Sequence, residues 1–251
     1  MPYKFGCYSY SANADLTAMA QKGILTETTS CFVLNDNTNY LNTLKPDDKA
    51  YLQEIKSTFG KMSTGALMKY TYIYFPYWAI NSMATDMLAP AELAKVAESK
   101  PKSDKTILFT IGYEGISLEE YLNRLIRNDV KVLVDVRNNP MSMKYGFSKS
   151  QLKRFCENLG IQYVHFPEVG IQSEERRELN TQADYDRLFA DYRTSNLTHT
   201  QTTQNAILDL LKKHQRIALT CFETNICQCH RKHLAEAITQ LPGFDYEMKH
   251  I

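Results

Sequence analysis

The chain has 251 residues, 43% of them apolar and 23% charged, with 29 basic against 28 acidic side chains for a net charge of +1. That composition excludes wholesale disorder and a polyelectrolyte tail, and 10 Gly with 8 Pro exclude collagen-like and low-complexity classes. The length allows one large domain or two modest ones.

The opening MPYKFGCYSYSANADL has no apolar run of signal-peptide length. No window reaches the roughly 18 apolar residues of a membrane span. The six cysteines therefore read as reduced thiols, and the expected location is the cytoplasm, with no membrane partner.

The arginines divide the chain. Residues 1–100 contain none, and all ten lie between Arg124 and Arg231. The change coincides with the polar stretch AESKPKSDK at 97–105. This predicts a boundary near residue 104, with a mainly helical accessory domain at 1–103 and an α/β domain at 104–251. In the first part, Pro46-Asp47-Asp48 opens a helical segment that Gly60 stops. The aromatic-rich GALMKYTYIYFPYWAINSM reads as a buried helix or a strand, with Pro76 kinking either. Its rings are expected to pack in a core or at a domain interface. A last helix is expected at 90–98, opened by Pro90.

The second part alternates. ILFTIGY (107–113), KVLVDV (131–136), IQYVHF (161–166) and RIALTCF (216–222) read as buried strands, with YEMKHI as a closing one. Helices are expected after Ser117, over SKSQLKRFCENLG, near 182–194 and 201–214, and over CHRKHLAEAIT. The charged run SEERRELNTQADYDR reads as a solvated surface or a mobile lid. Continuous apolar strands alternating with helices predict a mostly parallel, Rossmann-like three-layer α/β sandwich, beside the smaller mainly α-helical N-terminal domain.

In such sheets ligands bind beyond the carboxyl ends of the strands. Unusual residues follow four successive strands: Gly112-Tyr113-Glu114-Gly115, then Asp135-Val136-Arg137 with Pro140 and Ser142, then Pro167-Glu168-Val169-Gly170, then Cys221-Phe222-Glu223 with Cys229-His230-Arg231. Together TIGYEG, VDVRNNPMS, GFSKSQL, YVHFPEVG and CFETNICQCHR resemble the family described as domain of unknown function 488, over about residues 105–251. The resemblance implies a compact α/β domain with these motif residues as its site, and brings no established activity. It matches Cys229 and gives Cys227 no support.

Each motif has a bland reading beside the functional one. Gly112 and Gly115 suit close approach of a ligand at a helix start, or simply a tight turn. Arg137, Lys144, Lys149, Lys153 and Arg154 suit phosphate, with Tyr145 and Phe147 able to stack on a base. Equally, Asp135–Arg137 is a structural pair and the lysines a solvated helix face. His165 reads as a satisfied edge histidine. Glu168 is a general base or a hydroxyl acceptor. Glu223 at a sheet edge is suited to proton transfer. Cys229 at a helix start would be an activated thiol, His230 an acid or base, and Arg231 an anion binder or a partner of a loop carboxylate. A zinc set of Cys221, Cys227, Cys229 and His230 fails on spacing, because the ligands crowd one short loop and Cys221 lies in the strand. A phosphatase loop fails because position 227 is Cys where that loop needs Arg.

The expected function is processing or binding of a nucleotide or nucleic acid through an anion site at the sheet edge. Glu223, Glu114, Asp135 and His230 would be catalytic. Gly112, Tyr113, Gly115, Arg137, Pro140, Ser142, Glu168, Cys229 and Arg231 would bind substrate. A non-catalytic binding module is the alternative, and a thiol enzyme using Cys229 ranks last because no CxxC pair is present. The motifs name no metal ligands, and they leave cofactor and metal requirement open.

Overall fold

The computed structural model describes residues 1–251 apart from 30, 173, 174 and 176–178. Part of the charged run at 173–187 thus lies outside the described residues. The chain divides into two compact units, Met1–Lys100 and Pro101–Ile251.

The N-terminal unit is mainly helical. Strands β1 (Pro2–Tyr3) and β2 (Gly6–Cys7) pair antiparallel ahead of helix α1 (Tyr10–Gln21). The Ser9 hydroxyl caps α1 by accepting from the Ala12 amide at 3.1 Å. A second hairpin joins β3 (Leu25–Glu27) to β4 (Phe32–Leu34). None of these elements is legible from the apolar pattern. Helix α2 (Pro46–Phe59) follows, opened by Pro46 with Asp47 and Asp48 in its first turn. Within the aromatic segment helix wins over strand: α3 covers Thr64–Tyr74, and Pro76 starts a separate 3-10 turn at Pro76–Ala79. Helix α4 is Pro90–Glu98. Tyr72, Ala79, Leu88 and Val96 form a small core, in which the Tyr72 hydroxyl donates to Ser82 at 2.5 Å. Only part of the aromatic segment is core, since Tyr74 and Phe75 are exposed.

The C-terminal unit is a five-stranded sheet flanked by helices. Its elements are β5 (Ile107–Gly112), α5 (Leu118–Arg127), β6 (Val132–Asp135), α6 (Lys149–Asn158), β7 (Gln162–His165), α7 (Gln182–Asp191), α8 (Leu197–His199), α9 (Gln201–His214), β8 (Arg216–Cys221), α10 (His230–Thr239) and β9 (Glu247–His250). The expected helix at 182–194 gives way to a π-helical turn at Tyr192–Asn196 leading into α8. All strand pairs are parallel, in the order β7-β6-β8-β5-β9. The α/β class is therefore as read. The order places β8 between β5 and β6, unlike the 3-2-1-4-5-6 order of dinucleotide-binding sheets.

Every residue of β5, β6 and β8 is buried, which is why these strands read as continuous apolar runs. Alternation sends Leu108, Val132, Val134, Ile217 and Leu219 to one face, where they join Ile207, Leu211, Leu234 and Ile238 of α9 and α10. On the other face Tyr121 of α5 reaches Thr220, its hydroxyl donating at 2.7 Å. The connections leaving adjacent β5 and β8 thus pass to opposite faces, opening a crevice at their carboxyl ends. Register keeps that edge level: Gly112 lies opposite Cys221, Asp135 opposite Thr220, and His165 opposite Asp135. Among the described residues no helix is long and apolar enough to cross a membrane.

Candidate functional site

A cavity of about 330 Å³ opens at this edge, lined by Tyr113, Arg137, Asn138, Asn139, Met141, Ser142, Met143, Ile171, Cys221, Phe222 and His230. It draws on the segments after β5, β6, β7 and β8. Its foundation is the Asp135–Arg137 pair. Asp135 accepts from the Arg137 Nε at 2.8 Å and Nη2 at 2.5 Å, and from the Tyr163 hydroxyl at 2.5 Å. The Arg137 Nη1 donates to the Tyr113 hydroxyl at 2.7 Å and the Phe147 carbonyl at 2.9 Å. Burial opposes the guanidinium charge, but the hydrogen bonds and charge of Asp135 outweigh it and raise Arg137 above its ordinary value. Burial and the same carboxylate push the Tyr163 phenol up. Asp135 is fully enclosed, so the carboxylate expected to be catalytic instead fixes Arg137.

The loop after β6 is pinned at several points. Asn138 Nδ2 donates to the Pro167 carbonyl at 3.2 Å, and Ser148 Oγ to the Ser142 carbonyl at 3.0 Å. Ser142 Oγ accepts from the Lys144 amide at 3.1 Å. Pro140 stands outside the cavity lining, and its carbonyl accepts from the Lys149 amide at 2.9 Å. The basic run turns inward or pairs locally. Lys144 donates to the Tyr113 carbonyl at 2.8 Å, Lys149 lies 2.9 Å from His165 Nδ1, and Lys153 is 3.8 Å from Glu157. Phe147 is enclosed and stacked on Tyr113, centroids 4.2 Å apart at 9°, so it offers no face to a base. Phe222, Met141 and Met143 are the exposed apolar groups of the cavity, at 43%, 79% and 105% exposure.

Gly112 and Gly115 serve the turn in different ways. A Cβ at Gly112 would lie 2.0 Å from the Glu223 carbonyl oxygen, so the β5 and β8 ends meet only because Gly112 has none. Gly115 has φ of 75° with open space around it. Glu114 is exposed and ties the two loops together, its carboxylate accepting from the Thr224 amide at 3.2 Å and its carbonyl from the Thr224 hydroxyl at 2.5 Å. Glu114 and Glu223 line a second cavity of about 280 Å³ with Leu179, Tyr185 and Phe222. Glu168 belongs to a third, about 590 Å³, where it accepts from Thr203 at 2.8 Å. The four carboxylates therefore do not converge on one point.

At the start of α10, Cys229 is enclosed, and burial pushes its thiol well up. The helix terminus does not produce the activated thiolate expected from position alone. Arg231 is buried and holds backbone rather than a carboxylate: Nη1 donates to the Glu223 carbonyl and Nη2 to the Thr224 carbonyl at 3.4 Å. His230 lines the main cavity. Its Nε2 faces the Val136 carbonyl at 3.0 Å, and its Nδ1 lies 3.7 Å from Cys221 Sγ. Cys221 Sγ in turn lies 3.0 Å from the Glu223 carboxylate. Cys227 is exposed, and none of the six cysteines is in a disulfide.

Of the expected site residues, Tyr113, Arg137, Ser142 and His230 line the cavity built on Arg137. Sequence reasoning missed Asn138, Asn139, Met141, Met143, Ile171, Cys221 and Phe222 as lining residues. The signal for most was their adjacency to the motif positions in NNPMSM and CFE.

Fold and edge site together define a parallel α/β domain with a compact cavity at its topological switch. The family model for Domain of unknown function DUF488 matches residues 117–238, so the C-terminal part of the chain carries the family resemblance read from the five motifs. No curated protein and no solved structure matches the chain.

Proposed function

We propose that the C-terminal unit binds a nucleotide, as a free molecule or at the end of a nucleic-acid strand, in the cavity between Arg137 and Phe222. The observation that carries this reading is the composition of that cavity. Arg137, Asn138, Asn139 and Ser142 supply the donors a phosphate or sugar needs, and Phe222, Met141 and Met143 supply an apolar rim for a base. Its volume of about 330 Å³ falls at the small end of ligand pockets, which suits one nucleotide rather than a long strand. A net charge of +1 likewise argues against affinity for duplex built on many phosphate contacts. In this reading Glu223, beside the Phe222 that lines both cavities, handles protons in any transformation of the ligand.

Binding without turnover is the second reading. Its support is that Asp135 holds Arg137 and Glu114 holds Thr224, so two of the four expected catalytic groups have structural roles.

Fluorescence anisotropy with a labelled mononucleotide, single-stranded DNA, RNA and duplex DNA tests the proposal. The mononucleotide and the single strands should compete for one site. Asn139→Ala and Ser142→Ala should each weaken binding by about 1 kcal/mol, roughly fivefold. Absence of binding, or binding indifferent to both substitutions, would overturn it. Glu223→Gln separates the two readings: loss of turnover with retained binding supports the enzyme.

A further inference from the structure

Cys221, Cys229 and His230 come from two elements, the end of β8 and the start of α10. The eight-residue connection between Cys221 and His230 folds back on itself, with a 3-10 turn at Ile226–Gln228. As a result the two Sγ atoms and a ring nitrogen of His230 all lie within 4.8 Å of one another, and all three residues are buried. Crowding in one short loop, which argued against a metal on spacing, is what brings these atoms together. Cys227, the extra cysteine of that loop, points to solvent instead.

The spacing of Cys221 and His230 suits a tetrahedral ion. With Zn–S at about 2.3 Å and Zn–N at about 2.0–2.1 Å, adjacent ligand atoms stand about 3.6 Å apart. Cys221 Sγ and His230 Nδ1 are 3.7 Å apart. The ring is also held as ligating histidines are held. A carbonyl only accepts, so His230 Nε2 donates to Val136 O, 3.0 Å away, and Nδ1, on the Cys221 side, is the nitrogen placed to ligate. Two thiols and an imidazole are borderline-soft ligands, which select zinc-class ions over magnesium or calcium.

We propose that Cys221, Cys229 and His230 form a three-ligand site for a zinc-class divalent ion, with its fourth position facing the cavity that Cys221 and His230 line. Three protein ligands and one open position distinguish a reactive site from a closed structural one. The nearby Glu223 carboxylate, 3.0 Å from Cys221 Sγ, stands at the edge of this group. The site rests on these three residues and is independent of what the cavity binds.

Cobalt(II) titration of the chelator-treated full chain is the test. The expected result is one equivalent per chain, with tetrahedral ligand-field bands, sulfur-to-cobalt charge transfer, and displacement by zinc. Cys229→Ser and Cys221→Ser should lose the charge-transfer band and stoichiometric uptake, while Cys227→Ser keeps both. Should the two buried variants fail to fold, X-ray absorption on the zinc-loaded wild-type chain decides: two sulfur neighbours and an imidazole support the site. An octahedral cobalt spectrum without charge transfer, or a zinc shell without sulfur, overturns it. So does uptake unchanged by Cys229→Ser, or a Cys221–Cys229 disulfide with no uptake after reduction. None of these readouts involves a nucleotide, so failure of nucleotide binding would leave the result standing.

Discussion

Arg137 grips Asp135 through two parallel hydrogen bonds, Nε to Oδ1 at 2.8 Å and Nη2 to Oδ2 at 2.5 Å, with Asp135 fully enclosed and Arg137 only 6% exposed. Two charges taken out of water are sustained only by such geometry and by further partners, here Tyr163, Tyr113 and the Phe147 carbonyl. Removing either member strands the other. Asp135→Ala should therefore cost about 3–5 kcal/mol in urea unfolding, and Arg137→Ala a similar amount. A loss of binding in Arg137→Ala would on its own be uninformative, because the cavity wall goes with it. An unfolding free energy within about 1 kcal/mol of wild type for Asp135→Ala would contradict the role given to the pair.

Gly112 controls the approach of the β5 and β8 loops. Gly112→Ala puts a methyl 2.0 Å from the Glu223 carbonyl, so backbone has to move. The expected cost is about 1–3 kcal/mol, with a displaced Cys221–Glu223 segment. Gly115→Ala meets nothing within 4 Å but forces φ of 75°, at about 1–2 kcal/mol. Denaturant midpoints of both variants, with amide shifts around residue 223, check this. Shifts there should appear for Gly112→Ala and not for Gly115→Ala.

Phe222 tests the apolar rim. At 43% exposed it contributes little to the core, touching Tyr113 edge-on with centroids 5.3 Å apart. Phe222→Ala should weaken the proposed nucleotide contact by about 1–3 kcal/mol, the range of a base–aromatic stack, in an equilibrium titration. The unfolding midpoint should change far less than in Asp135→Ala.

His233 gives a pH dependence with a definite sign. Burial first, then the charge of Arg193 at 3.2 Å, holds its imidazole below the ordinary value, although Glu236 at 3.5 Å pulls the other way and Lys232 adds to the lowering. A depressed histidine binds fewer protons folded than unfolded. Its stability contribution is therefore complete above the unfolded value of about 6.5 and falls away as pH drops through the window below it. Denaturant midpoints should decline from pH 7 toward pH 5, and His233→Gln should flatten that decline. A slope unchanged in His233→Gln would contradict this assignment.

The sheet was legible in the sequence because β5, β6 and β8 are buried on both faces, so each shows as a continuous apolar run whatever its neighbours. Ser117 and Gly160 mark helix ends through purely local chemistry. Strand order is a long-range property, and nothing in RIALTCF says that it inserts between β5 and β6. In the first 45 residues the strands are two or three residues long, too short to carry a period. At the edge, position after a strand brings Tyr113, Arg137 and His230 to the cavity lining but cannot separate inward from outward. Phe147 looked available as a loop aromatic, yet Tyr113 covers its face. Cys229 looked activated at a helix start, yet burial reverses the effect. The Cys221–Cys229–His230 group was hidden because spacing along a chain does not reveal a loop that folds back.

The most direct test of the proposed cavity is methyl NMR on the full chain with labelled methionines, titrated with nucleoside mono-, di- and triphosphates. Met141 and Met143 stand on the rim of the cavity, whereas Met62 and Met83 lie in the N-terminal unit. Saturable shifts of the Met141 and Met143 methyls are expected, abolished by Asn139→Ala with Phe222→Ala, and none at Met62 or Met83. Saturable shifts confined to other methionines, or no shifts with any nucleotide at millimolar concentration, would contradict the proposed cavity.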